Sequence, residues 1–417
     1  MKVNDADVLV LPELTSQAWL YNLRAADISR TPVFLAYSVI TEKQTILFVD
    51  EKKINSVVSD YLNECDIQVK PYNDIYQYLS KLNNQKIMID LTHTNYELYK
   101  TIKDKNTIIN TTAPIELMKA IKNVSEIKNT KKAQLKDCIS LVKFMYNLKN
   151  DYNAAKKMTE YSLSEDLYEL RSKNKGFVDL SFDSIVAWNG NAAMAHYVPT
   201  KDKSARIEGS GFLLVDSGGH YLEGTTDVTR TFALGKVSDE MKRNFTYVLK
   251  GHISLAKAKF KKGTKGINLD ILARQPLWEQ GLDYNHGTGH GIGYLLSVHE
   301  GPNSFRYGST KSKSEMTEIV PGMITSNEPG LYFENKYGIR IESDVLCVEN
   351  FENENGEFYK FETLTYMPID LDAIDVSLLT AEEKDWLNDY HKKCYILLSP
   401  KLTEKQKEWL KEYTKKI

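Results

Sequence analysis

Two aspartates stand at the ends of apolar runs: Gly211-Phe-Leu-Leu-Val-Asp216 finishes on one, and Thr226-Asp227-Val-Thr-Arg-Thr-Phe opens on the other after a glycine-bearing turn. A hairpin would bring Asp216 and Asp227 side by side in a half-buried sheet. Two ionised carboxylates there repel one another and are costly to desolvate, so they need a cation or a shared proton between them. A metal ion is the economical solution. Ile324-Thr-Ser-Asn-Glu328-Pro-Gly-Leu-Tyr332 and Tyr337-Gly-Ile-Arg340-Ile-Glu342 supply two further acids on apolar strands. Arg340 and Glu342, two apart, would share a strand face. Between these pairs lie His286-Gly-Thr-Gly-His290-Gly-Ile-Gly and Val298-His299-Glu-Gly-Pro, which place three of the eight histidines within fourteen residues. Imidazole is a metal ligand, and the glycines permit close backbone approach.

Each element also has an ordinary reading. An aspartate after a strand is commonly a turn residue, Glu342 beside Arg340 can be a surface pair, and a glycine run can imitate a nucleotide loop. This run lacks the Walker lysine and a clear strand-to-helix setting, so phosphate binding is weakly supported. Four acids and a histidine cluster together favour a metal site.

The elements that must position these residues fall into two groups. Residues 1–120 alternate short β-rich runs (Val8 to Leu11, Val33 to Ile40, Thr45 to Val49, Lys86 to Ile89) with helical stretches (Ile54 to Asn63, Ile75 to Leu82), the rhythm of a small α/β domain. From Ile115 the pattern turns helical, with segments Lys132 to Asn150 and Asp151 to Arg171. It continues through a hairpin-like block Gly211 to Gly235, a helix near Asp239 to Lys259, and strand blocks Met323 to Phe333 and Tyr337 to Val348. Antiparallel strands flanked by helices make residues 121–370 an α+β domain. Residues 371–417 read as a helical tail with Ser/Thr caps, placed on the core or on a second subunit.

With 417 residues the chain suits two domains, and 26% charged residues with a formal charge of −2 give no electrostatic reason to bind nucleic acid or anionic membrane. Cys65, Cys138, Cys347 and Cys394 are far apart and form no CxxC pair, which points away from disulfides and thiolate zinc and toward a reducing compartment. The acidic start is unlike a signal peptide, and no apolar run is long enough to span a membrane. A cytoplasmic protein is expected.

The constellation resembles the pita-bread metallopeptidases, and among them the Xaa-Pro aminopeptidases, or aminopeptidase P. The resemblance extends through Leu11-Pro-Glu-Leu, Trp19-Leu-Tyr-Asn-Leu-Arg24, Asn191-Ala-Ala-Met-Ala-His196-Tyr197, Phe361-Glu-Thr-Leu-Thr and the tail from Leu379. It implies a creatinase-N-like domain ahead of a pita-bread catalytic domain. It also implies a two-metal centre, with Asp216 and Asp227 on one ion, Asp216, His290 and Glu328 on the other, and Glu342 bridging. His196, His286, His299, Tyr332 and Arg340 fall on positions that contact substrate or move protons, with His196, His299 and Glu328 as the catalytic set.

Oxygen-rich ligands with one imidazole suit manganese, with zinc or cobalt as alternatives. The implied reaction removes the first residue from peptides whose second residue is proline, by a water held between the two ions. The three-domain cytosolic relatives carry a further domain ahead of the matched region, so a two-domain form or a truncated chain is expected, as is a homodimer. Two other readings stand beside this one: prolidase, which cleaves Xaa-Pro dipeptides, and a non-catalytic pita-bread binding module.

Overall fold

The structure, a computed structural model, describes residues 1–150, 157–307 and 316–417. Its contacts divide into two units, Met1–Lys119 and Ala120–Ile417.

In the first unit six strands form one sheet in the order Ile67–Pro71, Thr45–Val49, Ala36–Thr41, Val8–Leu11, Lys86–Ile89, Thr107–Asn110. The two pairings made by Ala36–Thr41 are antiparallel and the other three parallel. Val8, Val10, Val39, Ile46, Phe48, Ile87 and Ile89 pack against Ile75, Leu79, Leu98 and Ile102 from the helices Asp74–Ser80 and Tyr96–Ile102. The strand expected from Val33 begins only at Ala36. Val33 spends its backbone in a turn, donating to Thr31 O at 2.8 Å and accepting from Asp27 N at 3.2 Å. The edge strands Ile67–Pro71 and Thr107–Asn110 escape the apolar-run signal because neither contains a buried position.

The second unit opens with the helix Val124–Asn150, earlier than the expected start at Lys132. Of the expected segment Asp151 to Arg171, residues 151–156 lie outside the described residues. The helix there is Glu160–Ser172, started by a capping box between Thr159 and Ser162. Met158 and Thr159 are extended instead, pairing with Arg206 and Ile207.

Two sheets frame the centre of this unit. One has the order Val228–Leu234, Gly211–Ser217, Ile185–Trp188; the other runs Lys259–Lys261, Gly356–Thr363, Ser343–Asn353, Ile324–Asn327. Phe212, Leu213, Val215 and Phe232 join Phe245, Val248 and Leu249 of the helix Asp239–Ala256 in the main core, with the Phe212 ring 5.9 Å from that of Phe245. Burying side chains of this size contributes roughly 1.5–3 kcal/mol each. The tail supplies Leu387, Tyr390, Cys394, Leu398 and Leu410 to that same core. Its helices Ala381–Leu398 and Glu404–Tyr413 start at capping boxes on Thr380 and Thr403.

The two expected strand blocks are each broken in the middle. The first divides into Ile324–Asn327 and Gly330–Phe333, the second into Tyr337–Arg340 and Ser343–Asn353. Pro329 has no N–H to continue a ladder. Across the second break the backbone changes partners, Ile341 N bonding Pro329 O at 3.3 Å and Glu342 N bonding Thr229 O at 3.0 Å. Glu328 and Glu342 therefore sit where one sheet hands over to another, and Glu342 lies beyond the strand that carries Arg340.

Candidate metal centre

In the hairpin, Thr229 lies opposite Asp216 and Val228 opposite Ser217. Asp227 precedes its strand by one residue, so it sits diagonal to Asp216 on the same face. Both are buried, at 8% and 4% exposure. Glu342 is brought up by its N–H bond to Thr229 O, and Thr229 Oγ1 donates to Glu342 Oε2 at 2.6 Å. Glu328 follows its strand directly; its N–H bonds Thr288 O at 2.9 Å, and its Oε1 accepts from Ser326 Oγ at 3.1 Å.

His290 lies in the short strand Gly289–His290, held by its N–H to Ser326 Oγ at 3.0 Å. Its Nδ1 lies 3.1 Å from Gly291 O, a carbonyl, so Nδ1 carries the proton and donates. Nε2 is then the lone-pair nitrogen, and it faces Asp227 Oδ2 at 3.5 Å and Glu328 Oε1 at 3.4 Å. Burial holds this imidazole down at about 3 and therefore neutral. A lone pair aimed at two carboxylates is repulsive with nothing between them and favourable around a cation. Ligand atoms of Asp227, His290 and Glu342 lie within 4.8 Å of one another.

The carboxylates carry the same signature. Burial first, then Glu342 and Asp216, pushes Asp227 well above the usual range, and burial with Glu328 and Asp216 does the same to Glu342. Burial lifts Glu328 to about 7. Asp216 Oδ2 is taken by Arg340 Nη2 at 2.6 Å, while its Oδ1 is buried without a hydrogen-bond partner. The donor set of four carboxylates and one neutral imidazole fits divalent cations of the manganese or zinc type.

Arg340 also donates to Tyr332 Oη at 2.7 Å and Thr229 Oγ1 at 3.2 Å. Tyr332 Oη in turn meets His286 Nε2 at 2.9 Å, and His286 Nδ1 donates to Gly287 O at 2.8 Å. Both nitrogens of His286 are engaged, and burial followed by Arg340 holds it down at about 3. His196 and His299 are exposed. The His299 ring lies 4.2 Å from that of His290, and although one side of it opens to the cavity, desolvation by the cavity walls holds its pKa down.

These residues line a cavity of about 600 Å³, within the range of small-ligand sites. All the expected site residues border it except Tyr332, which stands behind His286. The cavity adds residues not anticipated: Phe182, Ile185 and Val198 form an apolar wall, and Arg306 brings a cation. Thr229, which orients Glu342 and Arg340, was also unanticipated. Its position two after Asp227, on the same strand face, is the signal that could have found it.

Three family models match the chain: Metallopeptidase family M24 over residues 128–349, the Creatinase/Prolidase N-terminal domain over 1–126, and the C-terminal region of peptidase M24 over 357–417. Xaa-Pro aminopeptidase 1 of Dictyostelium discoideum is 39% identical over 94% of this chain and 62% of its own length. Aminopeptidase P2 of Arabidopsis thaliana is 38% identical over 94% of the chain and 60% of its own length. The chain thus spans about three fifths of these relatives. The crystal structure of X-prolyl aminopeptidase from Caenorhabditis elegans, described as a cytosolic enzyme with a di-nuclear active site, superposes with a TM-score of 0.93 at 33% identity, covering 100% of this chain and 69% of that one. Among the described residues no helix is long and apolar enough to cross a membrane. The chain belongs to metallopeptidase family M24, with a creatinase/prolidase-type N-terminal domain ahead of a pita-bread domain.

Proposed function

We propose that this protein removes the first residue from peptides whose second residue is proline, at a centre of two divalent cations held by Asp216, Asp227, His290, Glu328 and Glu342. The observation that carries the reading is the convergence of three carboxylates, Asp227, Glu328 and Glu342, around the lone-pair nitrogen of His290. The distances favour Asp227, beside His290, as the shared aspartate, in place of the Asp216 sharing that the family resemblance implied. Asp216, oriented by Arg340, would be a ligand farther from His290. When bound, such a pair of ions supplies an activated water and polarises the scissile carbonyl.

Within this reading the chain's own groups have separate tasks. Glu328 Oε2 takes a proton from the attacking water, while Oε1 stays tied to Ser326. His196 and His299 face the cavity and donate to the developing oxyanion and the leaving nitrogen. Arg340 holds Asp216 and, through Tyr332, fixes His286, whose ring borders the substrate. Proline has no N–H to offer a strand-like grip, so the apolar wall of Phe182, Ile185 and Val198 receives its ring. The acidic cluster favours a free, positively charged N-terminus. Manganese as the ion, a cytoplasmic setting and a homodimer belong to the same reading.

The test is release of the first residue from an Xaa-Pro-Xaa peptide by chelator-treated protein, with and without manganese, beside the same peptide carrying alanine second. Manganese-dependent release from the proline peptide alone supports the proposal; no release with any divalent metal overturns it. Cleavage of the dipeptide but not the tripeptide would assign the protein as a dipeptidase.

A further inference from the structure

We infer that Glu160 is a positioning residue that aims His196 into the cavity. Its side chain is fully buried, and among the described residues no lysine or arginine pairs with it. Instead its oxygens collect uncharged donors from one stretch of chain. Oε1 accepts from Trp188 N at 2.6 Å and Asn191 Nδ2 at 3.0 Å. Oε2 accepts from Tyr197 Oη at 2.7 Å, Ala205 N at 2.7 Å and Asn191 Nδ2 at 3.1 Å. A buried carboxylate without a counter-ion is costly unless hydrogen bonds satisfy it, and these do.

His196 sits inside the gathered stretch. Its immediate neighbours are both tied down, Tyr197 through Glu160 and Ala195 through its carbonyl, which accepts from Arg340 Nη2 at 3.4 Å. The His196 ring is exposed to the cavity, with no hydrogen-bond partner among the described residues. Its aim is therefore set by its backbone, and that backbone is held from behind by Glu160. On the other side, Gly338 lets the segment press close: a Cβ there would lie 1.9 Å from Ala192 O. Glu160 touches neither substrate nor metal ligand; it acts through Asn191, Tyr197 and Ala205.

The kinetic part of this inference rests on the peptidase reading; the structural part does not. Glu160→Gln keeps the size but turns one acceptor into an NH2 group facing N–H donors. In the manganese-loaded enzyme, kcat on Xaa-Pro-Xaa should fall on the order of 10²-fold at unchanged metal content. His196→Asn should show a similar loss, and the double variant should lose no more than His196→Asn alone. In the metal-free protein, amide hydrogen exchange across residues 188–205 should accelerate in Glu160→Gln while the strand Gly211–Ser217 keeps its protection. Unchanged exchange, or a kcat loss that multiplies with that of His196→Asn, overturns the inference. Should Glu160→Gln fail to fold, Tyr197→Phe removes a single donor and must show the same pattern at smaller size; wild-type behaviour there is equally fatal. If the wild type cleaves no Xaa-Pro peptide, the peptidase reading falls and the exchange measurement alone decides.

Discussion

His290 turns Nε2 toward Asp227 Oδ2, 3.5 Å away, because Nδ1 is committed to the carbonyl of Gly291. Asp216 is oriented differently, with one oxygen on Arg340 and the other buried and unpartnered. The two aspartates are therefore unequal. Asp227→Asn should abolish retention of both ions after chelation and reconstitution, whereas Asp216→Asn should retain the ion on the His290 side. Elemental analysis of the reconstituted proteins checks this; equal stoichiometry in the two variants contradicts it. Because ions that bind only the folded state stabilise it by mass action, the wild-type Tm should rise with added manganese, and the rise should be smallest in Asp227→Asn.

How much of this was legible in the sequence differs from residue to residue. The Asp216/Asp227 pairing reads clearly because Gly211 to Val215 is a continuous apolar run and Val228 to Leu234 a β-rich one with glycines between; that the connection itself forms the short strands Gly219–Tyr221 and Gly224–Thr225 of another sheet does not. The settings of Glu328 and Glu342 do not, since each lies where a strand stops and the backbone changes sheets, which residue periodicity cannot signal. Pro329 was visible as a ladder breaker; the bond from Glu342 N to Thr229 O, spanning more than a hundred residues, was not. Phe182 and Arg306 are likewise recruited by tertiary folding and carry no local pattern.

The glycines between His286 and His290 are not equivalent. A Cβ on Gly289 would lie 1.9 Å from Ser326 O, rigid backbone of the strand beside it, so Gly289→Ala must push His290 away from Glu328. A Cβ on Gly287 would meet Arg306 Nε at 3.0 Å, the far end of an exposed, flexible side chain. Gly289→Ala should lower metal affinity about 10-fold or more, in line with disturbed ligand orientation, and Gly287→Ala should leave it near wild type. Isothermal titration of the metal-free variants distinguishes them.

Acid should weaken the fold through two buried histidines, His252 and His391. Burial, then Arg230, holds both His252 and His391 down to about 3. His252 Nδ1 donates to Asn327 O at 3.1 Å, and His391 Nε2 accepts from Ile369 N at 3.1 Å. Their folded pKa lies below the unfolded value of about 6.5. Above about 6.5 both states are neutral and the full stability is present; as pH falls from there toward 3 the unfolded chain takes up protons that the folded one refuses. Stability should drop by several kcal/mol across that window. His391→Gln should flatten the fall in urea-unfolding free energy between pH 7 and 5 relative to wild type; parallel curves would contradict this origin.

The loop that carries His299 is anchored by an ion pair far from solvent. Lys122 Nζ lies 3.0 Å from Glu300 Oε1, with both side chains only 2% exposed. Glu300 N bonds Gly291 O at 2.8 Å, and Gly291 N bonds Asn303 O at 2.9 Å, so the pair closes the base of the 291–303 loop. Along the chain Val298 and Glu300 point inward while His299 faces the cavity, an alternation that makes the buried pair the reverse side of the histidine. Removing one partner strands a buried charge, which costs about 3–5 kcal/mol, whereas replacing both by apolar residues of similar volume is often neutral. Lys122→Met should therefore lower the unfolding free energy by about that amount, and Lys122→Met with Glu300→Met should recover most of it. Chemical denaturation of the three proteins is the check. A double variant as weak as the single one would mean that the loop depends on the charges themselves, because the stranded carboxylate would then not be what the single variant suffers from.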